Sequence, residues 1–270
     1  GVDCAVFDGT ALTVWQADTV GKAFEGELCS VADIVSRQRQ VKDADEIARV
    51  RAAAELADEV IMEVAGGLRE GMTEREAAAR IEFAFKARGA AGASFDTIAL
   101  FGARSSLPHG MPGDKRLEKG DIVLIDCGCR RDGYCSDLTR TFAFDTIPGA
   151  WFEEIYAVTL TAQEAALEAL RPGMLCREAD AIARNLIRDA GYGAHFGHGL
   201  GHGVGIEIHE APRLNVESDT VIEEGMVVTV EPGIYLPGRG GVRIEDLVVI
   251  TRDGCAILSR TPKQLKVLSG

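Results

Sequence analysis

Positive charge is in short supply in this sequence: 29 lysines and arginines stand against 42 aspartates and glutamates, a formal net charge of -13. No basic stripe offsets that excess, so broad contact with nucleic acid phosphates or an anionic membrane face would be repulsive. Long apolar runs are missing as well, and none approaches membrane-spanning length. The chain opens at Gly1 with no signal-like apolar segment, which leads to the expectation of a fragment or processed product. Cysteines number seven, an odd count, and Cys127, Cys129 and Cys135 crowd along one apparent strand pair. That pattern suits small buried residues in a reducing cytoplasm better than a secreted disulfide framework. Cys127-Gly-Cys129 is not CxxC, and zinc-knuckle spacing is absent. There is no HExxH helix, no G-x-S-x-G elbow and no P-loop. The stretch FGHGLGHGVG at 196–205 has neither dinucleotide-fingerprint spacing nor a place at the start of a helix after a strand.

Histidines are concentrated instead. Of five in 270 residues, His198, His202 and His209 fall within residues 196–210, interleaved with glycines that let backbone pass close to a bound group. A core histidine is usually solitary among large apolar neighbours, so the cluster points to a cleft. His195 pairs with nothing and reads as structural.

With 46% hydrophobic residues the chain can bury a sizeable core. Residues 2–39 read as a strand, a helix over 15–24 and a strand over 27–35, too little to close a core alone. We expect residues 1–40 to be the remnant of an N-terminal domain, a polar boundary at 36–43, and one larger domain over 41–270. Asp43 with Glu46 has capping-box character. Ile47, Val50, Ala54, Ala57, Ile61, Val64 and Leu68 then follow steps of three and four, which predicts an amphipathic helix stopped at Gly66-Gly67. A second helix starts at Thr73 and ends at Gly89. Strands are predicted over 95–101, 122–127 and 134–144, followed by helices over 151–170 and 177–190.

The order then repeats. Gly71-Met72 before EREAAARIEFAFKARG matches Gly173-Met174 before READAIARNLIRDAG, an offset of 102. LEKGDIVLIDCG matches IEEGMVVTVEPG at an offset of 105, which sets Asp126 opposite Glu231, and GYCSDLTRT against GVRIEDLVV sets Asp137 opposite Glu245 at 108. His109 falls near His209 at 100. Drift of this size is what loop insertions produce. Two pseudo-symmetric halves follow, each giving two carboxylates and one histidine to a shared cleft.

Asp126, Glu231 and Glu245 sit in or at the ends of apolar runs of the kind covered on both faces. An ionised carboxylate there costs several kcal/mol unless a counter-charge is fixed beside it. Four carboxylates with few nearby lysines ask for cations, and oxygen-rich ligation with one imidazole suits manganese, cobalt, iron or zinc in a dinuclear site. A strand, a turn at Arg131-Asp132-Gly133 and a return strand would bring Asp126 and Asp137 together.

These residues resemble the pita-bread metallopeptidases, the group containing methionine aminopeptidase, aminopeptidase P and prolidase. The likeness covers about residues 43–268 and rests on PHG at His109, IDCG at Asp126, SDLTRT at Asp137, GHGVGIEIHE at His202 and His209, EPGIY at Glu231 and VRIEDLVV at Glu245. It implies an α+β pita-bread (creatinase/aminopeptidase) fold with a pseudo-two-fold repeat, helices lying outside a curved, mostly antiparallel sheet. By the same likeness Asp126, Asp137, His202, Glu231 and Glu245 hold two divalent ions, most simply Mn2+ with Co2+ or Zn2+ as substitutes. Asp126 would chelate one ion beside Asp137, and Glu245 would span both.

His198, four residues before His202, together with EPGIY and RIED, resembles the aminopeptidase P and prolidase branch. That likeness implies a small peptide substrate with proline in second position. Methionine aminopeptidase, or a non-catalytic peptide-binding module of the same fold, is the alternative. The expected roles are Glu231 as proton carrier, His109 and His209 as donors to carbonyl oxygens, His198 lining the substrate pocket, and Arg243 and Tyr235 orienting the carboxylates. The branch usually carries a complete N-terminal domain that helps form a homodimer.

Overall fold

The structure, a computed structural model, describes residues 2–270. A parallel pair, β1 (Cys4–Asp8) and β2 (Glu27–Val31), is joined by α1 (Val14–Ala23) and followed by α2 (Ile34–Gln40). The polar run expected to be a boundary is therefore largely helical, and the second strand stops at Val31 rather than 35. Neither α1 nor α2 has a buried residue, in keeping with a segment too small for its own core.

The capping signals hold. Asp43 accepts from the Glu46 amide at 2.9 Å while Glu46 accepts from the Asp43 amide at 2.9 Å, opening α3 (Ala44–Gly66), and Thr73 with Glu76 does the same for α4 (Glu74–Ala87). The first half continues through β3 (Gly92–Ala93), β4 (Ile98–Phe101), β5 (Ile122–Cys127), β6 (Cys129–Arg131), β7 (Tyr134–Cys135) and β8 (Leu138–Phe144). The strand expected over 134–144 is thus broken in two, with Asp137 in the break. Asp132 and Gly133 both have positive φ, 50° and 85°, the turn chemistry that returns β6 into β7.

The second half runs α5 (Ala150–Ala169), α6 (Cys176–Ile187), β9 (Gly201–Gly203), β10 (Glu210–Leu214), β11 (Val227–Val230), β12 (Gly233–Leu236), β13 (Gly240–Arg243), β14 (Asp246–Thr251), β15 (Gly254–Ile257) and β16 (Val267–Leu268). One sheet has the order β16-β8-β5-β4 and the other β10-β9-β11-β14-β15, antiparallel except for β16 against β8. Each half has a central pair, β5–β8 and β11–β14, interrupted by a hairpin, β6–β7 and β12–β13.

The repeat extends to single hydrogen bonds. Gly71 donates to the Leu117 carbonyl at 2.8 Å and Gly173 to the Ile222 carbonyl at 2.8 Å. The bridges Thr73–Arg116 and Leu175–Val221 correspond, and the turn glycines Gly120 and Gly225 share φ values of 82° and 86°.

Strand alternation decides where the polar groups go. Val123, Ile125 and Cys127 of β5 pack with Leu56, Val60 and Ile81 under α3 and α4. Val228 and Val230 of β11, with Val248 and Ile250 of β14, pack under α5 and α6. Asp126 on β5, Thr139 on β8 and Thr229 on β11 have the opposite parity, as do Asp137, Glu231 and Glu245 just beyond the strand ends. All these side chains face away from the helices, toward the space between the sheets.

Candidate metal centre and cleft

A cleft of about 280 Å³ opens there, lined by His109, Asp126, Asp137, His198, His202, His209, Glu231 and Glu245, among others. Every residue expected in the site lines it except Tyr235, which lies buried just behind Arg243. His195 is outside, in a short turn beside Tyr192. Oxygens of Asp126, Asp137 and Glu245 all come within 4.8 Å of one another, and all three residues are buried. Among the described residues one other group converges similarly, Cys4, Glu27 and Cys29, at the surface. Cys127, Cys129 and Cys135 are fully buried, and all seven cysteines are free thiols.

Close backbone approach builds the histidine side. A Cβ on Gly201 would collide with the Thr229 carbonyl oxygen, and one on Gly203 with that of Ala211. The glycines flanking His202 are what let β9 lie against β11 and β10. Thr229 Oγ1 accepts from the His202 amide at 3.0 Å and donates to Glu231 Oε1 at 3.0 Å. The His202 ring faces the Gly203 carbonyl through Nδ1 at 3.1 Å, a partner that can only accept, so the ring proton belongs on Nδ1. Nε2 is left with a lone pair, 3.5 Å from Asp137 Oδ2 and 3.4 Å from Glu231 Oε1. Burial lowers the His202 pKa, which keeps the ring neutral. A neutral nitrogen lone pair pointed at two carboxylate oxygens is repulsive, unless protons or cations lie between them.

The carboxylates carry the same signature. Burial first, then Glu245 and Asp126, pushes Asp137 well above the usual carboxylate range, and burial with Glu231 does so for Glu245. Burial raises Glu231 to about 7. Asp126 Oδ1 is buried without a hydrogen-bond partner. An orphaned carboxylate oxygen, three carboxyls that resist ionisation and an imidazole lone pair in one cavity are a donor set that divalent cations fit.

Among the described residues, Arg243 is the guanidinium bonded directly to these groups. It donates to Asp126 Oδ2 at 2.5 Å, to Thr139 Oγ1 at 3.0 Å and to the Tyr235 hydroxyl at 2.9 Å, while Thr139 donates to Glu245 Oε2 at 2.7 Å. His198 continues the chain. Its Nδ1 faces the Gly199 carbonyl at 2.8 Å, so its Nε2 accepts from Tyr235 at 2.8 Å. Burial and Arg243 lower His198 to about 4, and burial pushes Tyr235 up to about 12, so both stay neutral.

Sequence reasoning missed Thr139 and Thr229, the hydroxyls that fix Glu245 and Glu231; a threonine within VVTVE and DLTRT was the available signal. It also missed two buried anchors. Asp180 on α6 accepts from the Leu200 amide and Arg184 at 2.9 Å each, and Arg184 donates to the carbonyls of Phe196 at 3.0 Å and His198 at 2.6 Å. In the first half Glu74 accepts from the amides of Phe101 at 2.9 Å and Gly113 at 2.8 Å, tying down the loop with His109. Below the site, Arg140 and Asp246 pair at 2.7 Å with Lys263 at 3.0 Å from Asp246.

Two pseudo-symmetric α/β halves enclosing carboxylates and histidines in this arrangement define a pita-bread metallohydrolase. The model of metallopeptidase family M24 matches residues 48–252, and the chain belongs to that family. It is a peptidase of a metal-dependent class, acting on peptides. It is 47% identical over 239 residues, 88% of this chain and 68% of the relative, to the Xaa-Pro dipeptidase of Pyrococcus furiosus. Its structure is similar to the Xaa-Pro dipeptidase from Bacillus anthracis, with a TM-score of 0.95, 42% identity and 97% of this chain on 74% of that one. It is also similar to the X-Pro aminopeptidase from Thermotoga maritima, with a TM-score of 0.95, 38% identity and 99% of this chain on 76% of that one. No helix of the described residues is long and apolar enough to cross a membrane.

Proposed function

We propose that the chain is a dinuclear metal-dependent exopeptidase cleaving the bond between the first residue and a following proline. The observation that carries it is the neutral His202 Nε2 facing Asp137 and Glu231 at 3.5 and 3.4 Å, beside the cluster of Asp126, Asp137 and Glu245. Asp126, Asp137, His202, Glu231 and Glu245 would hold the ions, with Mn2+ the first choice for an oxygen-rich set. When bound, the ions supply Lewis acidity and make water nucleophilic near neutral pH.

The chain's own groups do the rest. Glu231 takes a proton from the attacking water and delivers it to the proline nitrogen, which has no proton of its own while it is part of the amide. His109 and His209, from corresponding places in the two halves, donate to carbonyl oxygens as charge builds on them. His198 is held between Phe196 and Tyr235, ring centroids 5.1 and 5.5 Å away, and offers an uncharged wall to the proline ring. Arg243 and Tyr235 orient Asp126 and His198. Arg213, exposed at the rim of the cleft, pairs with no carboxylate among the described residues and is placed to meet the free carboxylate of a dipeptide.

The similarity to an Xaa-Pro dipeptidase and an X-Pro aminopeptidase supports proline in second position. Residues 1–40 are proposed as a separate unit that contributes to a homodimer; Val14 and Trp15 there are 81% and 75% exposed. Free thiols throughout favour a reducing, cytoplasmic setting. The test is metal analysis of the stripped and reconstituted protein, assayed on Xaa-Pro dipeptides, Xaa-Pro-Xaa tripeptides and Met-Ala peptides. Metal-dependent turnover of the prolyl substrates is expected. Turnover of the methionyl peptide alone would make it a methionine aminopeptidase, and neither metal nor turnover would make it a binding module.

A further inference from the structure

The His209 ring makes no hydrogen bond with a described residue; it rests edge-on against His202, centroids 4.5 Å apart, and the residue is exposed. Its position is therefore set by its backbone, and the next residue is tied down strongly. Glu210, the first residue of β10, has its carboxylate bonded to Arg39, to Lys42 Nζ at 3.1 Å and to the Glu207 amide at 3.0 Å. Arg39 also reaches Glu207 at 3.1 Å. The Lys42 and Glu210 side chains are only 2% and 5% exposed. The Glu207 amide, Lys42 and Arg39 outweigh burial and lower the Glu210 pKa, so the carboxylate stays charged.

Both ends of the clamp are anchored. Lys42 donates its amide to the Gly225 carbonyl at 2.9 Å, and Val41 bridges Met226, which fixes the segment to the turn leading into β11. At the other end a Cβ on Gly205 would come within 2.6 Å of Glu210 Oε2, so the loop between β9 and β10 has room for this carboxylate only because residue 205 is glycine. Arg39 and Lys42 both precede residue 48, where the family match begins. The grip on the His209 loop thus comes from the segment around α2.

We propose that Glu210, held by Arg39 and Lys42, is the positioning residue that sets His209 in the cleft, so that the chain around α2 controls the rate of the reaction. The proposal rests on the peptidase reading for its rate effect and on geometry alone for the placement of the ring. A misplacement near 1 Å at a transition-state donor costs up to about 100-fold in rate. The Glu210 carboxylate bonds Arg39, Lys42 and the Glu207 amide and none of the five candidate ligands, so its release acts first on the neighbouring His209.

The test uses Lys42→Met, Lys42→Arg and Glu210→Gln in the metal-loaded protein. Lys42→Met and Glu210→Gln are expected to keep wild-type metal content and to lower kcat on an Xaa-Pro dipeptide by roughly 10- to 100-fold, with KM held within about twofold. Lys42→Arg should recover most of the rate. In a His209→Ala background the Lys42→Met change should cost nothing further, because its effect runs through the missing ring. A second measurement needs no turnover: the His209 ring resonance, identified by its loss in His209→Ala, should move in Glu210→Gln while those of His195 and His198 stay. Unchanged kcat, an equal loss with and without His209, or a stationary His209 resonance overturns the proposal. A wild-type protein that cleaves no prolyl peptide overturns the function proposed above, and the resonance then still decides the positioning role.

Discussion

Stripping the metal from this protein should make its stability fall as pH rises above 6.5. In the metal-free fold Asp137 and Glu245 are held protonated well beyond their ordinary range and Glu231 to about 7, whereas in the unfolded chain they ionise near 3.8 and 4.5. Over that interval the folded state keeps protons that the unfolded state has lost, and stability declines by about 1.4 kcal/mol per pH unit for each proton retained. The three carboxyls share one cavity and titrate as a group, so one retained proton is the conservative count. From pH 6.5 to 8 that count gives a loss of about 2 kcal/mol, or a fall in Tm of roughly 4–8 °C.

The window matters, because His198 and His202 have the opposite sign. Their lowered pKa values make the fold gain stability as pH rises toward 6.5, and above it they are neutral in both states. Above pH 8 the buried thiols Cys129 and Cys176, raised to about 11, add a loss of their own. Urea unfolding of chelated protein at pH 6.5, 7.25 and 8, beside protein saturated with Mn2+, measures the difference. Bound cations keep the carboxylates ionised in the fold, so the loaded protein should lack this decline. A chelated protein whose stability is flat or rising between pH 6.5 and 8 would refute the assignment of these carboxyls to a cation site.

Further outcomes are specific. His202→Ala should bind less metal by direct analysis, whereas His209→Ala should keep the metal and lose about 10²–10³ in kcat; full activity in both would end the division of roles. Asp246→Asn leaves Arg140 and Lys263 short of a counter-charge in the core and should destabilise by about 3–5 kcal/mol in urea titrations. Arg213→Met should raise KM for an Xaa-Pro dipeptide about 10-fold or more and alter a tripeptide amide little, because only the former offers a free carboxylate to the guanidinium.

Much of this was legible in advance because it is local. Capping boxes at Asp43 and Thr73, the apolar period of α3 and the turn at Asp132-Gly133 each depend on residues within a few positions of one another. The internal repeat showed as matched motifs, since two copies of one supersecondary unit keep the same glycines where the backbone needs positive φ. What failed was also physical. Residues 27–35 read as strand and 36–43 as a polar boundary, yet residues 34–40 form a helix whose Arg39 is drawn to Glu207 and Glu210, partners some 170 positions away. The strand over 134–144 breaks because Asp137 has to turn into the cleft.

By itself the sequence determined the donor types, the duplication that supplies them in pairs, and the alternation that puts Asp126 and Thr229 on the faces turned from the helices. Only the tertiary structure decided which charges meet: Arg243 on Asp126 across 117 positions, Thr139 under Glu245 across 106, and Lys42 on Glu210 across 168. The reason is that side-chain direction is fixed by the period of a strand or helix. The choice of one partner among 42 acidic residues depends on how two sheets close over a cleft, and no short-range pattern encodes that.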